Sequence, residues 1–500
     1  MSMEQFIRRA GGKQGSTVRS VARRGLPFAA WASFALLSSA VAALAHGSER
    51  GLVMLLPTGF AQTGGAIAVA LSFVALAMVP ARWMRSVFAA KLPLFPAVMA
   101  GRNVLSCLSF VFLALIVGIG LFGTHDPLRN LLPLTIWTMW WVGFTLLQAV
   151  VGNLWPWLNP WTGPLAVLRG LSGTQLGRVP LLRLPKSFGY GPAILLFFLF
   201  AWYELISLSP QDPPELAVTV ALYWLATLCG MILFGGAVWL ERCEPFSIFF
   251  RFVGLLAPLV RIAQPGHAGR RFLALAWPGA GCIRRKPLPV SATLFILLGL
   301  SSVSFDGLAL TFRWLSANGI NPLEFPGRSA VTIANSFGLV GAALLLGSVF
   351  YIAVALGNRM AGVPGGALLR SMAGHLVYSV IPISIAFHFS HYLTILLING
   401  QYFALALADP FSLGWQWSAA GPAHVTTSFT SNLDSVTRLW MVQTSVIVGG
   451  HVVGILLAHM IAVERLGASF RAAVSQVPLA AAMVVYTVFG LWLLSTPVAG

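Results

Sequence analysis

The sequence predicts an all-α, polytopic integral membrane protein with about ten transmembrane helices after an N-terminal signal or leader segment. Hydrophobic residues make up 57% of the 500 residues, charged residues only 9%, and the mean hydropathy is +0.83. Soluble domains carry about 25% charged residues. Because charge is costly in hydrocarbon, a chain this poor in charge is typical of a protein that lies mostly within a bilayer.

The first 45 residues have the order of a secretory signal. Six basic residues precede an apolar stretch from about 26 to 42, and an Ala-Leu-Ala triplet ends at Ala45. Small residues there are typical of a cleavage site, so cleavage would make His46 the N-terminus, although the stretch is also long enough to remain as a helix. In both cases residue 46 lies outside, and residues 46–500 form one multi-spanning domain.

Ten apolar runs follow the leader, each near the length of about 20 residues that crosses a bilayer. They lie at about 60–79, 104–122, 131–151, 189–209, 216–238, 290–311, 330–356, 376–398, 438–462 and 477–496. The runs use nearly the whole chain, so the sequence predicts no separate soluble domain.

Basic residues are distributed unevenly between the loops. With residue 46 outside, the inner loops hold 20 of the 31 Lys and Arg residues, and the outer side holds five. The inner loops are 80–103, 152–188, 239–289, 357–374 and 463–476. This asymmetry obeys the positive-inside rule, supports the count of ten, and explains the net charge of +18 by contact with membrane lipid rather than nucleic acid. The largest inner loop, around RRFLALAWPGAGCIRRKPLP, is partly apolar, which favours a position on the membrane surface.

The four cysteines show no pattern of a disulfide framework or a zinc site. They are Cys107, Cys229, Cys243 and Cys282. Paired CxxC spacing is absent, so we interpret them as packing residues.

Three histidines within apolar runs form the predicted metal site. His388 and His391, three residues apart in the eighth run, share a helix face, and His451 in the ninth run has a similar depth. Three imidazoles are a common ligand set for a catalytic transition metal such as zinc, copper or iron. The alternatives are neutral histidines that hydrogen-bond the neighbouring helix and a path for protons.

A second tier of histidines is expected at the inner ends of the same two helices. His375 and His459 would lie together there. Two tiers of paired histidines also suit haem b, so these two residues are the predicted cofactor ligands in a haem-based electron-transfer protein.

Two carboxylates lie toward the outer ends of their helices. Glu204, in AWYELISLSP, and Asp306, in SFDGL, are candidate catalytic bases, metal ligands or partners that orient a histidine. The alternative is that each is a solvated carboxylate near the interface. Asn153 and Asn159, in GNLWPWLNPW, are interpreted as part of a structural aromatic belt at the inner surface.

Several motifs together resemble a group of bacterial multi-spanning proteins labelled fenitrothion hydrolase. The motifs are GNLWPWLNPW, SFDGL, HFSHY, GQYFALALADPFSLGW and GHVVGILLAHMIA, and the similarity covers about residues 46–496. The resemblance implies a bacterial inner-membrane protein that hydrolyses organophosphorus triesters. In such a membrane, the leader and the loop charges predict residue 46 and the C-terminus on the periplasmic side. Such hydrolysis needs an activated water and a Lewis acid, so a metal bound by the three histidines with Glu204 or Asp306 as base would suffice for a small lipophilic substrate.

A transporter or permease for a small solute, ion or metal is the principal alternative, with the histidines binding the ion or proton. The sequence contains no Walker loop, GxSxG, HExxH or Rossmann glycine pattern, which disfavours ATP-driven and serine-based chemistry.

Overall fold

The computed structural model describes residues 52–53, 55–96, 101–263, 271–363, 365–414, 424–467 and 470–499. The predicted leader and His46 lie outside the described residues. The described part is mainly helical, which confirms the all-α prediction. Its helices, in chain order, are Thr58–Met78 (α1), Ala81–Ala89 (α2), Arg102–Phe122 (α3), Leu131–Val151 (α4), Trp155–Leu158 (α5), Thr162–Ser172 (α6), Gly191–Ile206 (α7), Pro213–Phe234 (α8), Gly236–Arg242 (α9), Pro245–Val253 (α10), Val290–Ala309 (α11), Phe312–Ala317 (α12), Thr332–Met360 (α13), Gly366–Leu376 (α14), Ile381–Ala408 (α15), Leu433–Leu466 (α16), Phe470–Val474 (α17) and Val477–Ser495 (α18). Short 3-10 helices cover Lys186–Phe188, Ala280–Cys282, Pro322–Glu324, Arg328–Val331, Val377–Val380 and Ser428–Thr430.

Nine helical segments of the described chain are long and apolar enough to cross a membrane. They are α1, α3, α4, α8, α11, α13, α14 continued by α15, α16, and α17 continued by α18. These segments correspond to nine of the ten predicted runs. The fourth run forms α7, which has only 16 residues and so spans about 24 Å, short of the roughly 30 Å of hydrocarbon.

Helix α11 lies at the centre of the bundle. Of its most apolar 18-residue window, 78% is buried, compared with 11% for α1 at the periphery. It packs against α7, α13, α15 and α18. A polar side chain on α11 is therefore enclosed by other helices rather than by lipid, and this position decides where the candidate site lies.

One small sheet departs from the all-helical expectation. Its strands are Lys91–Pro96 (β1), Leu259–Ala263 (β2) and Arg271–Ala276 (β3), arranged antiparallel in the order β1-β3-β2. The strands come from two of the predicted inner loops. From the sequence these residues are assigned to loops, because each strand is too short to stand out from the neighbouring membrane runs.

Candidate functional site

Four side chains from α7, α11 and α15 form one hydrogen-bonded chain, which we call the polar cluster: Glu204, Asp306, His391 and Tyr392. Nε2 of His391 lies 2.7 Å from Oδ2 of Asp306, and the Tyr392 hydroxyl lies 2.8 Å from the same oxygen. That hydroxyl also lies 3.0 Å from Oε1 of Glu204. The structure thus brings together both predicted carboxylates and one of the three predicted metal-binding histidines.

The hydrogen atoms of the cluster limit its protonation states. Tyr392 carries a single hydroxyl proton, but its oxygen contacts a carboxyl oxygen of both Glu204 and Asp306. The hydroxyl donates to one of them, so the other contact is a hydrogen bond only when that second carboxyl carries a proton and donates to the tyrosine. The cluster in which every contact is a hydrogen bond therefore holds one proton more than a cluster in which both carboxyl groups are ionised and the histidine and the tyrosine are neutral.

Arg328 adds a positive charge beside the cluster. Its Nη1 donates to the backbone carbonyls of Glu204, at 3.0 Å, and Ser207, at 3.1 Å. These carbonyls lie at the C-terminus of α7, where a cation is favourable. The guanidinium is also close enough to interact electrostatically with the carboxyl groups of Glu204 and Asp306. It partly balances the negative charge of the pair.

A small pocket lies beside His391. Its volume is about 20 Å³, and its lining includes Gly307, Phe387, Ser390 and His391, so it has room for a water molecule or two. The His391 side chain keeps 18% of its surface accessible. Nε2 of His391 bonds Asp306. The other ring nitrogen, Nδ1, lies 3.7 Å from the position that a Cβ on Gly307 would occupy.

A π-helical segment in α4 determines the position of His388. Residues Leu134–Phe144 are π-helical, a conformation that is frequent at functional sites. The carbonyl of Trp141 within it accepts a hydrogen bond of 3.1 Å from Nε2 of His388. The two rings also meet edge to face, with centroids 5.0 Å apart. His388 is thus tethered to α4 through Nε2, although its ring also contacts that of Tyr392.

The remaining predicted histidines lie outside the polar cluster. His451 is fully buried, its Nδ1 donates to the carbonyl of Ile447 in its own helix at 2.9 Å, and its ring lies against Phe387. His375 likewise bonds the carbonyl of Ser371, at 2.7 Å, one turn earlier. His459 is buried, and its Nδ1 has no hydrogen-bond partner among the described residues.

The described residues contain no group of three or more His, Cys, Asp or Glu side chains arranged to hold a metal ion. The predicted trio of His388, His391 and His451 does not form such a group, since each ring is held by a different partner. The metal site at these three histidines therefore gains no support from the geometry, and it stays a prediction, as does the haem site at His375 and His459.

The cysteines and asparagines have structural surroundings. All four cysteines are free thiols; Cys243 and Cys282 are buried, Cys107 is partly buried, and Cys229 is exposed and so does not fit the packing interpretation. Burial raises the pKa of Cys243 to about 11 and that of Cys282 to about 12, so both stay protonated near neutral pH, as expected of packing residues. The buried Asn159 accepts a hydrogen bond from the Thr162 N–H and donates to the Trp155 carbonyl. It fixes the turn of the tryptophan-rich segment, in agreement with the structural interpretation.

Sequence reasoning missed two residues of the site. Tyr392 follows His391 directly, and a phenol in an apolar run was a usable signal because its hydroxyl needs a partner when buried. Arg328 is one of the five basic residues that the sequence places on the outer side. Nothing in the sequence indicates that it reaches back to the end of α7.

The fold and the polar cluster define a multi-pass membrane protein with connected ionisable groups inside its helical bundle. Comparison of the chain with models of protein families, with curated proteins and with solved structures gives no match. The predicted resemblance to the fenitrothion hydrolase group is therefore untested by these comparisons.

Proposed function

We propose that the protein is a transporter whose transport step is coupled to protonation of the polar cluster. The observation that carries this proposal is the unbroken hydrogen-bonded chain from His391 through Asp306 and Tyr392 to Glu204. Ionisable groups inside a membrane bundle are expensive, and they characteristically mark ion pathways and proton relays.

The contacts of the cluster allow a proton to move along it. At the short contact between His391 and Asp306, transfer from Nε2 to Oδ2 converts an ion pair into a neutral pair. Tyr392 connects Asp306 to Glu204, because its hydroxyl can donate to one carboxylate while accepting from the protonated other. A proton that enters at one end can therefore be held at the other.

Protonation of the cluster supplies a means of coupling. One added proton changes the local charge by one unit in a medium of low dielectric constant, where uncompensated charge is costly. Conformations that expose the cluster to different amounts of water therefore differ in proton affinity, and a proton shifts the equilibrium between them. This coupling requires that the helical bundle adopt two conformations that differ in the exposure of the cluster to water.

Irregular segments in the helices that surround the cluster support such a conformational change. Helix α4 contains the π-helical segment Leu134–Phe144, and the 3-10 turn Val377–Val380 separates α14 from α15. Mid-helix segments of this kind often mark hinges, and interrupted helices are typical of transporters. The turn leads directly into α15, which carries His391 and Tyr392, and the π-helical segment packs against α15.

The proposal is tested by proton exchange in protein reconstituted into liposomes. Infrared spectra across the neutral pH range should contain a protonated-carboxyl band that changes with pH and with deuteration, and a pH dye inside the vesicles should report proton flux when a transported solute is added. A carboxyl signal that never changes with pH would overturn the proposal.

Tyr392→Phe should slow proton exchange with Glu204 by on the order of 10²-fold, because it removes the one hydroxyl that links the two carboxyl groups. The measurement is the deuterium-exchange rate of the protonated-carboxyl band. Tyr486→Phe is the matched control, since it also removes a hydroxyl that bonds α11, through Ser304 at 2.5 Å, but lies outside the cluster. Equal rates in the two variants would show that Tyr392 does not relay protons.

A hydrolase is the second candidate function, and the pocket beside His391 favours it. With its Nε2–H donated to Asp306, His391 has a basic Nδ1 close to Gly307, which lines the water-sized pocket. A histidine oriented by a carboxylate is a common general base for activating water. An apolar ester would reach it from the lipid. His391 would then be the base and Asp306 the group that fixes its tautomer.

Gly307→Ala tests this second function by filling the space next to Nδ1. The new methyl group would lie 3.7 Å from Nδ1 and 3.3 Å from Cδ1 of Leu493, so the helix should tolerate it. If the pocket holds the reacting water, hydrolysis of an organophosphorus triester should fall by on the order of 10²-fold. Gly299→Ala in the same helix is the control, because its methyl group meets only Phe249, at 3.9 Å. Unchanged hydrolysis in Gly307→Ala would exclude this pocket as the water site.

A further inference from the structure

The small sheet presents one apolar face that the rest of the described protein does not cover. Leu259, Leu275 and Leu92 lie directly opposite one another across its three strands. Leu92 is 61% exposed and Leu275 is 45% exposed, whereas Ala274 and Ala276, which point to the other face, are buried. Since side chains alternate between the faces of a sheet, the leucine face of β3 looks outward while its other face packs on the protein, and the edge strand β1 is exposed along its whole length.

Two arginines lie on the same face as the leucine row. Arg261 pairs with Leu273, and Arg271 pairs with Ala263, so the arginines are diagonal neighbours on adjacent strands. Their guanidinium groups are close enough to repel each other. No carboxylate of the described residues forms an ion pair with either of them. Two adjacent cations without a counter-ion favour an anion between them.

The position of the sheet relative to the membrane helices indicates which kind of anion would bind there. Strand β2 packs against the end of the membrane helix α4, and Arg261 lies over the ring of Trp157, 4.1 Å from its centroid. Strand β1 follows α2, which begins three residues after the membrane helix α1 ends. The exposed Trp277 at the end of β3 contacts Phe88 of α2. Exposed leucine, arginine and tryptophan at the level where spanning helices end match the lipid headgroup region.

We propose that the outward face of the sheet binds anionic phospholipid, with a lipid phosphate between Arg261 and Arg271 and with Leu92, Leu259 and Leu275 against the upper acyl chains. The arginines supply charge complementarity, and the leucines supply the apolar contact that free phosphate cannot use. This assignment is independent of the polar cluster, because the sheet shares no residue with it.

The first test counts bound lipid. The full protein is placed in nanodiscs of phosphatidylcholine with a minor fraction of phosphatidylglycerol, and the lipid retained after detergent extraction is measured by native mass spectrometry. Arg261→Gln with Arg271→Gln should lower phosphatidylglycerol retention by about 30-fold, because each arginine near an anionic surface contributes roughly a fivefold factor. Arg178→Gln with Arg183→Gln, which removes two exposed arginines of another inner loop that are not neighbours on paired strands, should lower retention clearly less.

The second test measures the depth of the sheet. A spin label at Leu92→Cys, with Cys107→Ser and Cys229→Ser to prevent other labelling, should be relaxed more by oxygen dissolved in lipid than by a water-soluble paramagnetic complex. Water-phase accessibility at this position would overturn the proposal. Equal lipid retention in the two arginine variants would overturn it too, as would inorganic phosphate that displaces the retained lipid.

Discussion

Asp306→Asn should abolish the proton exchange of the polar cluster. Oδ2 of Asp306 contacts both Nε2 of His391 and the hydroxyl of Tyr392, so a path between His391 and Glu204 passes through its carboxyl group. Asparagine keeps the shape of the side chain but cannot gain or lose a proton near neutral pH. We expect proton-coupled flux to fall by at least about 10²-fold, measured with a pH dye inside liposomes.

The control for this prediction is another aspartate with a different role. Asp409, at the end of α15, accepts hydrogen bonds from the N–H groups of Leu413 and Gly414 in the following loop. Asp409→Asn makes the same chemical change outside the cluster, so its flux should stay near that of the wild type. If the two variants have the same flux, Asp306 is not the proton-binding group. Loss of folded protein in Asp306→Asn is excluded by comparing the unfolding temperatures of the variants.

Transport and hydrolysis make different demands on the same residues. Both functions require Asp306, because it either carries the proton or orients His391. Only the proton relay requires Tyr392, since the hydrolytic pair of His391 and Asp306 is in direct contact at 2.7 Å. Tyr392→Phe should therefore stop the relay and spare hydrolysis. Gly307→Ala should do the reverse, because it fills the water pocket without touching the hydroxyl.

The membrane helices could be predicted from the sequence because hydrocarbon imposes a length and excludes charge. The third run, 131–151, coincides with α4, and the ninth run extends by several residues at each end into α16. The fourth run shortens to α7, which begins at Gly191 with Pro192 in its first turn and ends at Ile206, where Ser207 leaves the helical conformation. The π-helical conformation of α4 could not be predicted, since it depends on contacts with neighbouring helices and not on hydropathy.

The members of the candidate site were predictable, but their arrangement was not. Glu204, Asp306 and His391 stood out because each is an ionisable residue in an apolar run. The expected convergence of His388 with His451 rested on depth alone. Depth does not determine the rotation of a helix about its axis, which is set by packing. In the packed bundle, the carbonyl of Trp141 accepts a hydrogen bond from His388, and the carbonyl of Ile447 accepts one from His451.

Gly450→Ala should separate α15 from α16 and destabilise the protein. A Cβ at this position would lie 2.4 Å from Cβ of Ala386 and 3.0 Å from the carbonyl oxygen of Pro382, both on α15. The Pro382 contact is with backbone and cannot be relieved by a side-chain rotation. Small residues allow such close approach of membrane helices. Overpacking of this kind costs about 1–3 kcal/mol, and because α15 also carries His391 and Tyr392, proton exchange should weaken with it.

The neighbouring Gly449 provides the control for this change. A Cβ there meets no atom within 4 Å, so Gly449→Ala should leave the stability unchanged or raise it by up to about 1 kcal/mol through helix propensity. The free energy of unfolding of both variants is measured in the same detergent. Equal stability would mean that α15 and α16 are not in close contact at Gly450. A loss confined to Gly450→Ala would show that this close contact holds α16 against the helix that presents the polar cluster.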